Sequence, residues 1–251
     1  MSRVYDRIGA SYRLTRRPDP QIAAAIVLAL GDARSVVNVG AGTGSYEPTD
    51  RQVLAVEPSR TMIAQRPPTA APAIQASAER LPLSDDSFDA AMAVNTVHHW
   101  VDLRGGLREL RRVARSRVVI FLRDPRRGAR LWLDEYLPAF DRPDERSAIV
   151  EAIEDELRPV TAVPVPLPRD CVDGLYSAYW ARPERYLDDE VRRNISHFAL
   201  AGDDDVTRGL ARLAADLESG EWDRRYGHLR SLQALDLGHR LFVADSALAA
   251  P

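Results

Sequence analysis

One stretch restricts the fold of this chain more than any other. The apolar run Ser35-Val36-Val37-Asn38-Val39 leads directly into Gly40-Ala41-Gly42-Thr43-Gly44. Valine-rich runs suit a pleated, buried strand. Glycine has no Cβ, so such a turn can take positive φ and let a ligand approach its backbone closely. Further strand-like runs follow at Gln52–Val56, Ala73–Gln75, Phe88–Val94 and Arg117–Leu122. Between the last two, Leu103, Leu107, Leu110 and Val113 recur at helical spacing, with Asp102 placed to cap and Arg111, Arg112 and Arg115 near the end, where cations suit the helix dipole. Upstream, Asp19 can cap and Pro20 can open a helix that carries Ile22, Ile26, Val27 and Leu30 and stops at Gly31. Apolar strands alternating with helices predict a parallel sheet covered on both faces.

Beyond Leu122 the pattern changes. Arg130–Leu137 and Ser147–Leu157 read as helical, and Val160–Val165 reads as an edge strand because a central strand would not tolerate Pro164. The stretch from Asp170 to about Leu232 reads as helical and polar, and His239–Val243 as a last strand after Gly238.

The net charge of −3, from 34 basic and 37 acidic residues, argues against a dedicated nucleic-acid or membrane binder. Every basic residue is Arg, which fits the codon bias of a GC-rich bacterial genome. Cys171 is the only cysteine, and His197, His228 and His239 are scattered, so no disulfide and no metal site is expected. The first residues lack an apolar signal core, and the longest apolar run, Ile22–Leu30, is too short to span a bilayer, so a cytoplasmic protein is expected.

What the glycine turn holds depends on spacing. Glycines at 40, 42 and 44 give G-x-G-x-G, with Ser45 where a dinucleotide fingerprint has its third glycine. A Walker loop needs a lysine, and the chain has none. Glu57 closes the second strand, where an acid can accept bonds from both hydroxyls of a ribose. The connection from Gly40 to Gln52 leaves room only for a short helix.

Two further motifs come in order: Gln75-Ala76-Ser77-Ala78-Glu79-Arg80-Leu81-Pro82 with Asp85-Asp86-Ser87-Phe88-Asp89, then Ala93-Val94-Asn95-Thr96-Val97-His98-His99-Trp100. With these, residues 5–125 resemble the class I S-adenosylmethionine-dependent methyltransferases, in the bacterial small-molecule branch with an Ala-Glu-x-Leu-Pro motif and a His-His-Trp after the fourth strand. The resemblance implies a Rossmann-like, doubly wound, mostly parallel seven-stranded sheet with helices on both faces and a helical cap insertion. It divides the chain into an N-terminal lid and first helix (1–34), a cofactor-binding core (35–125), core helices and an edge strand (126–168), the cap insertion (169–233) and the final strand (234–251).

The resemblance also implies roles. Gly40, Ala41, Gly42 and Gly44 would surround the methionyl part of S-adenosylmethionine, which leaves as S-adenosylhomocysteine, and the Gly40 carbonyl would accept from its ammonium. Glu57 would hold the ribose, Pro58 and Met62 would pack on the adenine, and Ser77, Ala78 and Glu79 would meet its edge. Asn95 and Thr96 would offer backbone groups to the methionyl tail, while Tyr12 and Arg17 would close over the cofactor. Two positions depart from the family: Ser77 and Asn38 stand where it usually has Asp, so the ammonium loses a nearby negative charge.

His99, with His98 beside it, is the candidate base, at a strand end where parallel-sheet enzymes hold ligands. Tyr5, Trp100, Trp132, Tyr136, Asp173, Tyr179 and Trp180 are candidate walls of an acceptor pocket, because aromatics interleaved with single polar groups suit a small acceptor. The expected reaction is methyl transfer to O or N, with C as a further option, of a small molecule in bacterial natural-product biosynthesis. Three alternatives remain at this level: a nucleotide-dependent oxidoreductase, a nucleic-acid methyltransferase using an arginine stripe from Arg104 to Arg117, and a cofactor-binding partner without activity.

Overall fold

The computed structural model describes residues 17–140, 143–193, 195, 197, 198 and 203–245. The first helix, α1 (Pro20–Leu30), forms as its signals predict: the Asp19 side chain accepts from the Gln21 and Ile22 N–H groups, and Gly31 ends the helix at φ 56°. The strands β1 (Ser35–Val39), β2 (Gln52–Val56), β3 (Ala73–Ile74), β4 (Phe88–Val94) and β5 (Ala114–Arg123) pair in parallel in the order β3-β2-β1-β4-β5. Two more, β6 (Val160–Pro164) and β9 (His239–Asp245), bring the sheet to seven strands, with β9 antiparallel between β5 and β6. Pro164 lies on the edge strand, where its missing N–H costs no ladder bond.

Seven α-helices complete the described residues: after α1 come α2 (Arg60–Ala64), α3 (Leu103–Val113), α4 (Pro143–Glu156), α5 (Asp189–Arg193), α6 (Asp203–Glu218) and α7 (Glu221–Tyr226). Asp102 caps α3 by accepting from Gly105 N–H. Side-chain alternation along β5 separates two cores. Val119 and Phe121 join Ile22, Ile26 and Leu30 of α1 and the aromatic residues of the insertion. Val118, Ile120 and Leu122 join Leu107 and Leu110 of α3 and Val150 and Ile153 of α4.

Three expectations are corrected. No helix follows the glycine turn before β2: Gly40, Gly42, Gly44 and Tyr46 all take positive φ (72°, 54°, 95° and 64°), which repeated right-handed helical geometry excludes. Arg130–Leu137 does not form one helix; two short 3-10 turns, Trp132–Glu135 and Pro138–Phe140, take its place. The stretch read as helical from Asp170 does not begin so: residues 170–182 form turns, and a small ribbon in which β7 (Leu167–Pro168) pairs with β8 (Ala234–Leu235) flanks the stretch.

Candidate active site

The carboxyl ends of β1, β2 and β4 converge on a cavity of about 290 Å³. Its wall comes from four consecutive motifs: the glycine turn, Glu57-Pro58-Ser59 with Met62, Ser77-Ala78-Glu79, and Asn95-Thr96 with His99, Trp100 and Val101. The turn is held from below, because Gly40 and Ala41 both donate to the Val56 carbonyl, at 2.8 and 3.1 Å. A Cβ at Gly40 would stand 2.1 Å from Thr96 Oγ1, so the turn after β1 and the loop after β4 touch only because position 40 is bare. Asn95 takes φ 49°, and its N–H reaches the Phe121 carbonyl at 2.9 Å.

Glu57 is almost fully buried, and each of its oxygens already accepts one backbone bond: Oε2 from Gly42 N–H at 2.8 Å and Oε1 from Ser59 N–H at 2.9 Å. A carboxylate has about four acceptor sites, so two remain for a ligand's hydroxyls. Burial pushes the Glu57 carboxyl above the usual range, against the pull of those two bonds and of Arg66. Glu79 accepts from Val101 N–H at 2.8 Å, tying the loop after β3 to the start of α3. Burial would raise its pKa, but the bonds it accepts outweigh that and hold it low.

Two buried polar atoms on cavity residues, Asn38 Oδ1 and Asn95 Nδ2, have no hydrogen-bond partner among the described residues. One accepts and one donates. Glu57 with the apolar Pro58 and Met62, which line the cavity, fits a ligand that has a ribose and a flat apolar ring.

His99 lines the cavity; His98 does not, its ring lying 3.8 Å from that of His99. Burial, reinforced by the Arg146 charge, lowers the His99 pKa to about 4. The imidazole is therefore neutral at pH 7 and a much weaker base than an ordinary histidine.

The other proposed site residues separate. Gly40, Ala41, Gly42, Glu57, Pro58, Met62, Ser77, Ala78, Glu79, Asn95, Thr96 and Trp100 all line the cavity. Gly44 faces away from it, toward Ala70, Glu47 and Arg66. Arg17 is exposed, and Tyr5 and Tyr12 lie outside the described residues. Trp132, Tyr136, Tyr179 and Trp180 are buried in the core they share with α1 and β5, and Asp173 is buried against the Tyr46 hydroxyl, instead of lining this cavity. Trp132 donates to the Trp180 carbonyl at 2.7 Å and packs edge-on against Tyr186 and Trp222. Ser45, Tyr46 and Ser59 line the cavity without having been expected there. Ser59 could have been found as the cap of α2, but nothing in the sequence marks Tyr46, a non-glycine at positive φ.

Five of the six arginines of the stripe on α3 and β5 are matched by acids, Arg111 being the exception among the described residues. Arg104 and Arg108 meet Glu156, Arg112 meets Glu109 and Asp85, Arg115 meets Asp89, and Arg117 meets Asp245.

A methyltransferase-domain family model matches residues 37–122. A solved structure from Anabaena variabilis, described as a methyltransferase from an antibiotic biosynthesis pathway, shares 35% identity, with 92% of this chain and 98% of that one covered at a TM-score of 0.82. An S-adenosylmethionine-dependent methyltransferase from Thermotoga maritima shares 21% identity over 66% of this chain and 81% of that one, at a TM-score of 0.48. A phosphoethanolamine N-methyltransferase from Haemonchus contortus, solved with S-adenosylhomocysteine, shares 14% identity over 89% of this chain and 52% of that one, at a TM-score of 0.48. No curated protein sequence matches the chain. The chain belongs to the class I S-adenosylmethionine-dependent methyltransferases, which sets aside the oxidoreductase reading. Membership of this family makes S-adenosylmethionine its cofactor.

Proposed function

We propose that the protein methylates a small molecule in a biosynthetic pathway, with the cavity beside the glycine turn as its cofactor site. The observation that carries this reading is the continuity of one cavity wall from Glu57 past Gly40 to His99 and Trp100. In this reading Glu57 holds the ribose, Pro58 and Met62 flank the adenine, Ser77, Ala78 and Glu79 meet its edge, and the glycine turn with Asn95 and Thr96 takes the methionyl tail. When bound, S-adenosylmethionine supplies a methyl group on a sulfonium, already activated for in-line displacement by an acceptor lone pair.

What remains for the protein is to orient the acceptor and exclude water, and orientation is worth about 7–11 kcal/mol of barrier in well-aligned systems. A neutral His99 suits this role. It can hold a hydroxyl or amine by one hydrogen bond, and its low basicity suits an acceptor that ionises before transfer or sheds its proton on product release. Among the described residues, the acid-matched arginine stripe leaves no row of free guanidinium groups for a phosphate backbone, which favours a small acceptor over a nucleic acid. The Anabaena relative of an antibiotic pathway supports the same class of acceptor.

The test is transfer of radiolabelled methyl from S-adenosylmethionine to low-molecular-weight intermediates made by the products of neighbouring genes, with duplex and single-stranded nucleic acids in parallel. Label in a small product supports the reading, and label only in nucleic acid overturns it.

A further inference from the structure

Many arginines of this chain lie against an acid, but two at the carboxyl edge of the sheet do not. Arg123 and Arg146 form no ion pair among the described residues, although both are only partly accessible to solvent. Both stand beside the cavity. Arg123 ends β5, two residues beyond Phe121, whose carbonyl accepts from the cavity residue Asn95. Arg146 rides on α4, which packs against the 3-10 turn Val97–His99, and its charge reaches the His99 ring. Their hydrogen bonds go to uncharged groups. Arg123 Nε donates to the Leu237 carbonyl at 3.0 Å, and Arg146 Nη2 donates to His197 Nε2 at 2.9 Å, so that His197 is neutral. Most of the N–H donors of both guanidinium groups are left over. Burial lowers the Arg146 pKa and the Arg123 charge lowers it further, against the pull of Tyr176, Asp134 and the exposed Glu145. The buried Asp134 accepts from the Tyr176 hydroxyl at 2.8 Å, and His239, opposite Arg123 across β5 and β9, is held neutral by burial.

Resting on the methyltransferase reading of the neighbouring cavity, we infer that Arg123 and Arg146 bind a carboxylate of the acceptor, so that the substrate is a small organic acid whose hydroxyl or amine is held at His99. Two half-buried guanidinium groups that act on each other without an acid between them destabilise the fold, and a bound carboxylate relieves that cost. A carboxylate matches the planar donor fork of arginine and adds the single negative charge that two cations facing one buried acid still lack. Flat side chains stand beside the pair: the Tyr176 ring stacks on His197 at 4.5 Å, and Phe140 meets Tyr176 edge-on at 5.7 Å. This suits an acid carrying an aromatic or other flat apolar body.

The test is calorimetry of benzoate, its neutral isostere benzamide and inorganic phosphate with the chain saturated by S-adenosylhomocysteine, for the native protein, Arg123→Gln and Arg146→Gln. Benzoate should bind at least about tenfold more tightly than benzamide or phosphate, and each variant should weaken benzoate by about tenfold or more. S-adenosylhomocysteine affinity should stay within about threefold of native in both variants. The unfolding temperature of Arg146→Gln should not fall below that of the native chain, because Gln can still donate to His197 and one uncompensated charge is gone. Benzoate that binds no better than benzamide, phosphate that binds better than benzoate, or variants that keep native benzoate affinity would each overturn the inference while S-adenosylhomocysteine still binds. Variants that lose S-adenosylhomocysteine as strongly as benzoate would assign the pair to the cofactor's own carboxylate and overturn it too. If the native chain does not bind S-adenosylhomocysteine, the cofactor reading of the cavity falls first and the inference with it.

Discussion

At the scale of single residues, the cavity depends on a bare position and on a buried charge. Gly40 combines φ 72° with a Cβ direction that ends 2.1 Å from Thr96 Oγ1. At Gly42, which has φ 54°, a Cβ would meet only Met62 Cε at 3.4 Å. Both alanine substitutions incur the positive-φ penalty of about 1 kcal/mol, but Gly40→Ala must also push the loop after β4 away. Thermal unfolding should show Gly40→Ala about 2 kcal/mol or more below the native chain and clearly below Gly42→Ala, with S-adenosylhomocysteine binding lost only in the former. Glu57 makes a second test. Its carboxyl ionises above the usual range because burial opposes the charge, and ribose hydroxyls need the ionised form as acceptor. Cofactor affinity should therefore weaken as the pH drops from neutral toward the Glu57 pKa. Glu57→Gln should bind about tenfold more weakly at pH 7.5 and show no such dependence in a calorimetric pH series.

At the scale of elements, the part of the site that was legible in the sequence is the part built by local rules. Asp19 with Pro20 and Gly31 fixed α1, Asp102 fixed α3, and short apolar runs fixed the central strands, so the four motifs at strand ends could be placed on one edge of the sheet from residue order alone. The glycine turn was legible as a ligand cradle but not in its conformation, because a string of positive-φ residues that includes Tyr46 is set by contacts distant in sequence. The insertion was the least legible part. Its aromatic residues suited an acceptor pocket as well as a core, and only burial separates the two.

Tyr46 shows such a long-range contact. Its hydroxyl donates to Asp173 Oδ2 at 2.7 Å and accepts from Asp19 N–H at 3.2 Å, joining the glycine turn to the insertion and to the cap of α1. Asp19 Oδ2 accepts from Val172 N–H at 3.1 Å. Tyr46→Phe removes a bond to a carboxylate that is 1% exposed. Chemical denaturation should register a loss of about 2 kcal/mol, with cofactor affinity also reduced because Tyr46 lines the cavity.

At the scale of the whole molecule, two sets of titrating groups give stability two separate pH windows. His239 is buried between sheet and insertion, with Nε2 2.8 Å from Ser177 Oγ and its ring stacked on Phe121. Burial, aided by the charges of Arg123 and Arg146, lowers its pKa to about 3, and His99 is lowered to about 4. In the unfolded chain both take a proton near the ordinary value of 6.5. Below that pH the unfolded state binds more protons than the folded one. The stability they contribute is therefore complete above pH 6.5 and is lost as the pH falls toward 4 and 3. Asp236 behaves differently: its bond from Arg240 lowers it from 3.8, so the stability it contributes is lost only below that pH. Denaturant titrations between pH 7.5 and 4.5 should thus show the unfolding free energy falling by up to about 1.4 kcal/mol per pH unit for each histidine, partly offset by Glu57, whose raised carboxyl takes up its proton in the folded state first. His239→Gln removes the more deeply buried of the two. It should lower stability at pH 7.5 through lost packing on Phe121 yet flatten the slope between pH 6 and 4.5; an unchanged slope would place the acid sensitivity elsewhere in the fold.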